Sequence, residues 1–199
     1  MADKILLPIK GAYITQRFDV MTATGGNHIH GALDLSGKIG TEIIAPENGF
    51  VYGFVNIRYK DGQYWGNIPN VKGIHDNFAF CNYFYDMFGG VTVLESKDGK
   101  RTHLFCHSYG NQIFNQSFYN TNKVFIEEKN NSRFPIFGIY TEKVEVAKGD
   151  IIGRVGQAGY NLGTHLHWEI HSGINNWQTY DQRIDPETLL YKKDVKYRT

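Results

Sequence analysis

One segment of the chain reads Gly163-Thr164-His165-Leu166-His167-Trp168-Glu169-Ile170. From its first histidine onward, polar and apolar residues alternate, which predicts a β-strand with one buried face. The apolar residues Leu166, Trp168 and Ile170 share that face. His165 and His167 therefore point together to the opposite face, along with Glu169. Two such imidazoles can bind a metal ion, although an isolated pair is more often a polar strand surface.

A second motif supplies the further ligands that a metal site needs. It reads His30-Gly31-Ala32-Leu33-Asp34-Leu35-Ser36. On a strand, His30 and Asp34 share one face, and helical spacing would also bring them together; Gly31 and the following Ser-Gly pair favour an extended segment that enters a turn. With His167 they make two histidines and one carboxylate, a ligand set typical of catalytic zinc with an open fourth position.

These motifs and their order resemble the M23 peptidases, the lysostaphin and LytM type of zinc endopeptidase. The landmarks are His30-x-x-x-Asp34, Phe105-Cys106-His107-Ser108, Gly149-Asp150-Ile151-Ile152-Gly153 and His165-x-His167. The resemblance extends from about Phe18 to Leu190, nearly the whole chain. The glycine-rich approach to His165 is similar to the family's usual pattern but not identical to it.

The resemblance implies an all-β domain, mainly an antiparallel sheet with groove-forming loops. It also implies zinc-dependent hydrolysis of a peptide bond in bacterial peptidoglycan, in a stem peptide or a cross-bridge. One Zn²⁺ ion would be held by His30, Asp34 and His167 and would activate the attacking water. His107 and His165 would be the catalytic histidines that do not bind the metal, with His165 favoured as the base. Because these imidazoles must be neutral, activity is expected to fall as the pH drops through about 6.

Two other functions fit the same residues. The first is a non-catalytic cell-wall-binding module or phage virion structural module that retains the fold. Such relatives commonly lose metal ligands, whereas this chain keeps the whole set. The second is a zinc-dependent peptidoglycan amidase, which shares the metal site and differs in the shape of its loops. We favour the endopeptidase.

Length and composition indicate one globular domain, and the resemblance implies that residues 1–199 form a single M23-type peptidase domain. The chain has 41% hydrophobic residues, 15% aromatic residues and 22 glycines, a composition that suits many strands and turns. A formal net charge of +1 gives no general attraction to nucleic acid or to acidic membranes, so neither is an expected partner. The expected partner is the peptide part of peptidoglycan, and we favour a monomer.

The N-terminal sequence bears on where the protein would act. Met1-Ala2-Asp3-Lys4-Ile5 lacks the features of a secretory signal, and no stretch reaches the ~18 apolar residues of a membrane span. We therefore expect a phage-encoded endolysin or virion-associated enzyme that acts on the bacterial cell wall. Cys81 and Cys106 could pair only if folding brings them close in an oxidising compartment, and we favour two thiols that are not joined.

Strand patterns upstream of the histidine motif predict two hairpins. The first joins residues 42–46 and 49–55, and the second joins residues 90–96 and 101–107 through an Asp-Gly turn. On the last of these strands, alternation places His103, Phe105 and His107 on one face.

Two stretches, near residues 56–89 and 111–145, look enlarged beside a minimal member of the family. The first is rich in Tyr, Phe, Asn and Gly, and the second contains a polar run from Glu127 to Arg133. We predict that both are loops that line the groove and select the substrate, with ordered surface decoration as the alternative.

Other polar residues are weaker candidates. His28 lies six residues before Asp34, a spacing that departs from the family pattern. Glu169 either supports a metal ligand from behind or is a solvated strand residue. His75 and His103 are expected in loops or at the surface, and His171 near a strand end.

Overall fold

The computed structural model describes residues 4–20, 29–60, 63–64, 90–108, 125–131, 134–140, 143–156, 163–174 and 182–197. In these residues the chain forms thirteen β-strands, two short 3-10 helices and no α-helix. The strands are β1 (Ile14–Gln16), β2 (Leu33–Ser36), β3 (Glu42–Ile44), β4 (Gly49–Lys60), β5 (Gln63–Tyr64), β6 (Gly90–Ser96), β7 (Arg101–Ser108), β8 (Phe125–Asn131), β9 (Phe134–Tyr140), β10 (Val144–Val146), β11 (Ile151–Arg154), β12 (His165–Ser172) and β13 (Arg183–Ile184). The 3-10 helices are Pro186–Leu189 and Lys192–Asp194.

Eleven of the described strands form one antiparallel sheet. Its order is β1-β2-β12-β7-β6-β4-β9-β8, with β5 and β10 attached to β4 and β13 attached to β12. The strands β3 and β11 pair with each other. The predicted all-β, mainly antiparallel fold is confirmed. In the part of the chain described here, no helix is long and apolar enough to cross a membrane.

The apolar face of β12 lies in the main hydrophobic core, as its alternation predicts. Leu166, Trp168 and Ile170 are fully buried, and the ring of Trp168 stacks on that of Phe105 with centroids 6.4 Å apart. Burial of each large apolar side chain contributes about 1.5–3 kcal/mol. The strand is therefore held in place by the face opposite to His165 and His167.

His103, expected in a loop or at the surface, is instead fully buried in β7. The indole N–H of Trp168 donates to its Nδ1 at 3.2 Å, and its Nε2–H donates to Glu47 at 2.7 Å. Glu47 also accepts two hydrogen bonds from Arg101. The expectation was wrong because both ring nitrogens find partners inside the protein. Burial lowers the pKa of His103, which favours this neutral form.

The two predicted hairpins have different outcomes. β6 and β7 pair as predicted, and Gly99 in their turn has a φ of 74°, which favours glycine. The first hairpin is wrong, because β3 pairs with β11 and β4 pairs with β6. The connection between β3 and β4 forms hydrogen bonds with the connection between β10 and β11. The Ala45 N–H donates to the Asp150 carbonyl oxygen, and the Lys148 N–H donates to the Asn48 side chain.

The two stretches expected as enlarged loops are partly strands. β4 continues to Lys60 and pairs with β9, while β8 and β9 pair between residues 125 and 140. The prediction of loops is wrong for these parts, because β9 pairs through its backbone with β8 and with β4, which is distant in the sequence. β8 is last in the strand order of the described residues, and charged residues are common on edge strands.

Several expectations fall outside the described residues. Residues 65–89 and 111–124 of the two enlarged stretches lie there, so their role in selecting a substrate stays a prediction. The positions of His28 and His75 lie there as well. Cys106 is buried in β7, but Cys81 is outside the described residues, so the state of the two thiols also stays a prediction.

Gly49 provides a test of the pairing between β4 and β6. A Cβ atom on Gly49 would lie 2.2 Å from the backbone oxygen of Glu95, so the strands would have to separate. We expect Gly49→Ala to lower the free energy of unfolding by about 1–3 kcal/mol, the usual cost of overpacking, in denaturant titrations. Gly163→Ala is the matched control, because its Cβ would meet no described atom within 4 Å. Equal stability of the two variants would contradict this pairing.

Candidate metal centre

Asp34 of β2 and His167 of β12 lie directly opposite each other in an antiparallel pair. Residues in this relation point to the same face of the sheet, with Cβ atoms about 4.5–5.5 Å apart. Their chain neighbours, among them Leu35 and Leu166, are buried in the core on the other face. The alternation of both strands thus directs a carboxylate and an imidazole to the same place.

His30 reaches this place from the segment before β2. Its backbone pairs with Asp19 and Val20 through two hydrogen bonds of 2.8 Å. Its Nδ1–H donates to the carbonyl oxygen of Arg17 at 3.0 Å. The Nε2 atom of His30 therefore carries the lone pair, and it faces the inside of the site.

His167 is oriented by a carboxylate behind it. Its Nε2–H donates to Glu169 at 3.0 Å, which leaves Nδ1 as the ligand atom. Glu169 is 1% exposed, accepts a hydrogen bond from His171 at 2.7 Å and forms an ion pair with Arg183 at 3.1 Å. Burial raises the pKa of Glu169, but the hydrogen bonds from His167 and His171 outweigh burial and lower it to about 2. Of the two readings of Glu169, support of the histidine is the one observed.

The three candidate ligand atoms form a nearly equilateral triangle. His30 Nε2 lies 3.2 Å from His167 Nδ1 and 3.2 Å from Asp34 Oδ1, and the last two atoms are 3.1 Å apart. A tetrahedral zinc ion with bonds of about 2.0–2.1 Å holds its ligands about 3.3–3.4 Å apart, so the spacing fits zinc. Because the other nitrogen of each ring already donates, these atoms direct lone pairs at one another and repel unless a proton or a cation lies between them. The three residues of the predicted ligand set thus lie together.

Without a metal ion, a proton lies between the ligand atoms of His167 and Asp34. Burial raises the pKa of Asp34, but the hydrogen bond from His167 and the positive charge of its ring outweigh burial and hold it well below its usual range. Burial lowers the pKa of His167, but hydrogen bonds to Asp34 and Glu169 outweigh burial and raise it to about 9. At neutral pH the His167 Nδ1–H then donates to Asp34, and a metal ion has to displace that proton.

Strand alternation alone would direct His107 away from the site. Cys106 lies opposite His167 and shares its face of the sheet. In a regular strand the next residue, His107, would share the opposite face with Phe105, as the sequence pattern predicted, and Phe105 lies in the core. That predicted face is wrong, because the His107 ring lies beside His167.

A β-bulge in β7 redirects His107. The register between β6 and β7 shifts next to it, with one extra residue on β7. His107 has a φ of 58°, in the left-handed region that few residues other than glycine adopt. Its ring centroid lies 4.8 Å from that of His165 and 5.7 Å from that of His167. The bulge therefore brings another imidazole beside the candidate ligands.

His165 lies on the open side of the site. Its side chain is 18% exposed, against 7% for His30 and 12% for His167. Its Nδ1–H donates to the Gly163 carbonyl oxygen at 2.7 Å. Its Nε2 therefore carries a lone pair, and it lies 3.6 Å from Asp34 Oδ2, beyond hydrogen-bond range. This nitrogen can accept a proton from a molecule bound at the site.

Sequence reasoning missed several residues that orient the ligands. Arg17 orients His30 through its backbone carbonyl oxygen. Every residue type has this oxygen, so the sequence could not identify it. His171 lies near the end of β12, as expected, but its hydrogen bond to Glu169 was not predicted. Arg183 comes close to Glu169 only because β13 pairs with β12, a contact that the sequence does not reveal.

Comparisons with known proteins support the fold. No protein-family model and no curated protein matches the chain. A zinc containing peptidase from Vibrio cholerae is 16% identical with a TM-score of 0.50, over 93% of this chain and 40% of its own. The antimicrobial peptidase lysostaphin from Staphylococcus simulans is 16% identical with a TM-score of 0.50, over 96% and 53%. LytU is 19% identical with a TM-score of 0.49, over 90% and 85%.

The chain spans less than two thirds of the length of the two structures with a TM-score of 0.50. At these identities the likeness concerns architecture. The chain shares its antiparallel β fold with these two structures.

The raised pKa of His167 gives a direct test of the site's charge. In metal-free protein, imidazole NMR should show one ring that stays protonated until the pH rises through about 9. Its stabilising contribution should be full below the ordinary histidine pKa and should be lost as the pH rises through about 9. Addition of zinc at pH 8 should remove the protonated signal, and His167→Ala should lack it from the start. Titration of all described imidazoles below pH 7 would contradict the arrangement.

Proposed function

We propose that the chain is a zinc metalloendopeptidase that hydrolyses peptide bonds in bacterial peptidoglycan. The observation that carries the proposal is the triangle of His30 Nε2, Asp34 Oδ1 and His167 Nδ1, with sides of 3.1–3.2 Å. Two imidazoles and one carboxylate suit a single zinc ion and leave one coordination position for water or substrate. The buried carboxylate of Glu169 behind His167 is the kind of support that such ligands usually have.

The residues around the triangle supply the remaining chemistry. When bound, zinc supplies a Lewis acid that acidifies water and polarises a carbonyl group. His165 accepts the proton of the attacking water at Nε2, while its hydrogen bond to Gly163 holds the ring in the required tautomer. His107, whose ring meets His165 edge-on, is placed to donate toward the oxygen of the scissile carbonyl as negative charge develops there.

The proposed substrate and setting rest on two kinds of support. Two structures with this fold are a zinc containing peptidase and the antimicrobial peptidase lysostaphin, which supports peptide hydrolysis. The motif resemblance supports peptidoglycan as the peptide source. We further propose that residues 1–199 act as one domain on the bacterial cell wall, as a phage endolysin or virion-associated enzyme. Retention of both non-ligand histidines, His107 and His165, favours an enzyme over a binding module.

The reaction is tested by digestion of purified peptidoglycan followed by mass spectrometry. Wild-type protein should release fragments with new peptide amino and carboxyl termini, and His30→Ala should release none and bind no zinc. Arg154→Met is the control and should hydrolyse peptidoglycan like wild type, because this half-exposed side chain pairs with Glu42 and the Gly40 carbonyl oxygen. Fragments that instead carry a freed lactyl carboxylate on the sugar would identify an amidase. Wall binding by zinc-loaded protein without any new ends would refute hydrolysis.

The division of roles between the two histidines of β12 is tested separately. We expect His165→Ala to retain one zinc ion per chain and to lose about 10²–10⁴-fold in kcat, the usual contribution of a general base. His167→Ala should lose the zinc itself. Metal analysis and turnover on the same samples measure both effects. Loss of zinc in His165→Ala would show that His165 binds the metal and would contradict its role in proton transfer.

A further inference from the structure

Arg183 supplies the positive charge that the buried carboxylate of Glu169 requires. It lies on β13 opposite His171 of β12, and its Nη2 atom is 3.1 Å from Glu169 Oε1. The side chains are 11% and 2% exposed. A carboxylate removed from water to this extent is costly without a paired cation. The oxygen that faces Arg183 is also the one that accepts the Nε2–H of His167.

The same guanidinium lies against the backbone beside the other histidine ligand. A Cβ atom on Gly31 would lie 1.8 Å from Arg183 Nη1, 2.6 Å from Cδ and 2.7 Å from Cζ. Gly31 has no positive φ, and the three atoms that would lie nearest to its Cβ all belong to Arg183. Gly31 directly follows His30. Arg183 thus contacts both the carboxylate behind His167 and the backbone that carries His30.

We propose that Arg183 is a positioning residue that fixes the two histidine ligands relative to each other. It acts through Glu169 on the ring of His167 and through Gly31 on the backbone of His30. The planar, fork-shaped guanidinium can serve both contacts at once, whereas the ammonium group of lysine can serve only the carboxylate. The inference rests on the proposed metal centre, and it concerns metal affinity and geometry rather than the chemical step.

The first test is zinc affinity, measured by competition with a chelator on variants shown by circular dichroism to be folded. We expect Arg183→Met to raise the Kd for zinc by about 10–100-fold, the usual effect of removing support from behind a ligand. Arg183→Lys should have a Kd for zinc between those of Arg183→Met and wild type. It should also fold even if Arg183→Met does not. Arg154→Met is the matched control and should stay within about twofold of wild type, because Arg154 pairs with Glu42 and Gly40 instead. Wild-type affinity in Arg183→Met, or in Arg183→Lys if only that variant folds, would overturn the inference.

The second test uses the contact with Gly31. Gly31→Ala should weaken zinc binding in the wild-type background, because the new methyl group displaces the guanidinium. In an Arg183→Ala background the space is empty, so the same substitution should have little further effect. The absorption bands of the Co²⁺-loaded protein, which report ligand geometry, should change in Gly31→Ala and should resemble those of Arg183→Ala. Equal effects of Gly31→Ala in both backgrounds would show that Arg183 does not act through this contact.

The two levels of the proposal fail in different ways. If wild-type protein binds no zinc, the proposed function is wrong and the role of Arg183 falls with it. If wild-type protein binds zinc and the variants of Arg183 and Gly31 bind it equally well, only the positioning role is wrong.

Discussion

Three electron-rich atoms of His30, Asp34 and His167, held 3.1–3.2 Å apart, are the constraint around which the site is organised. Atoms that all present lone pairs repel at this distance. A shared positive charge relieves the repulsion. The structure removes the alternative of rotating the rings away, because the far nitrogen of each imidazole already donates, one to the Arg17 carbonyl and the other to Glu169. The site is thus preorganised for a proton or a metal cation.

The sheet provides this preorganisation through the two faces of β12. One face buries Trp168 and its apolar neighbours in the main core, and the other presents His165, His167 and Glu169. The position of the polar face is therefore stabilised by hydrophobic burial on the opposite side. The bulge at His107 is the local exception to regular geometry. A residue in the left-handed region costs on the order of 1–3 kcal/mol, and the surrounding strands supply that energy at the point where another imidazole is needed.

Patterns that depend on local periodicity could be predicted from the sequence. The alternation of β12 predicted both of its faces, and the Asp-Gly turn predicted the hairpin of β6 and β7. Errors arose where pairing over long distance decides the outcome. β3 pairs with a strand more than a hundred residues away, and the imidazole of His103 is buried because Glu47 and Trp168 complete its hydrogen bonds. His107 lies beside His165 and His167, as the resemblance implied. It does so through a β-bulge, which strict alternation cannot predict.

The central claim is that one zinc ion binds to two imidazole nitrogens and one carboxylate oxygen. Zinc-edge X-ray absorption of the wild-type protein, loaded with one equivalent of zinc, measures the ligand types and their distances together. The account predicts only nitrogen and oxygen ligands at about 2.0–2.1 Å, with the signal of two imidazole rings, and no bound zinc in His167→Ala. Sulfur ligands at about 2.3 Å, or an imidazole signal unchanged in His167→Ala, would contradict it.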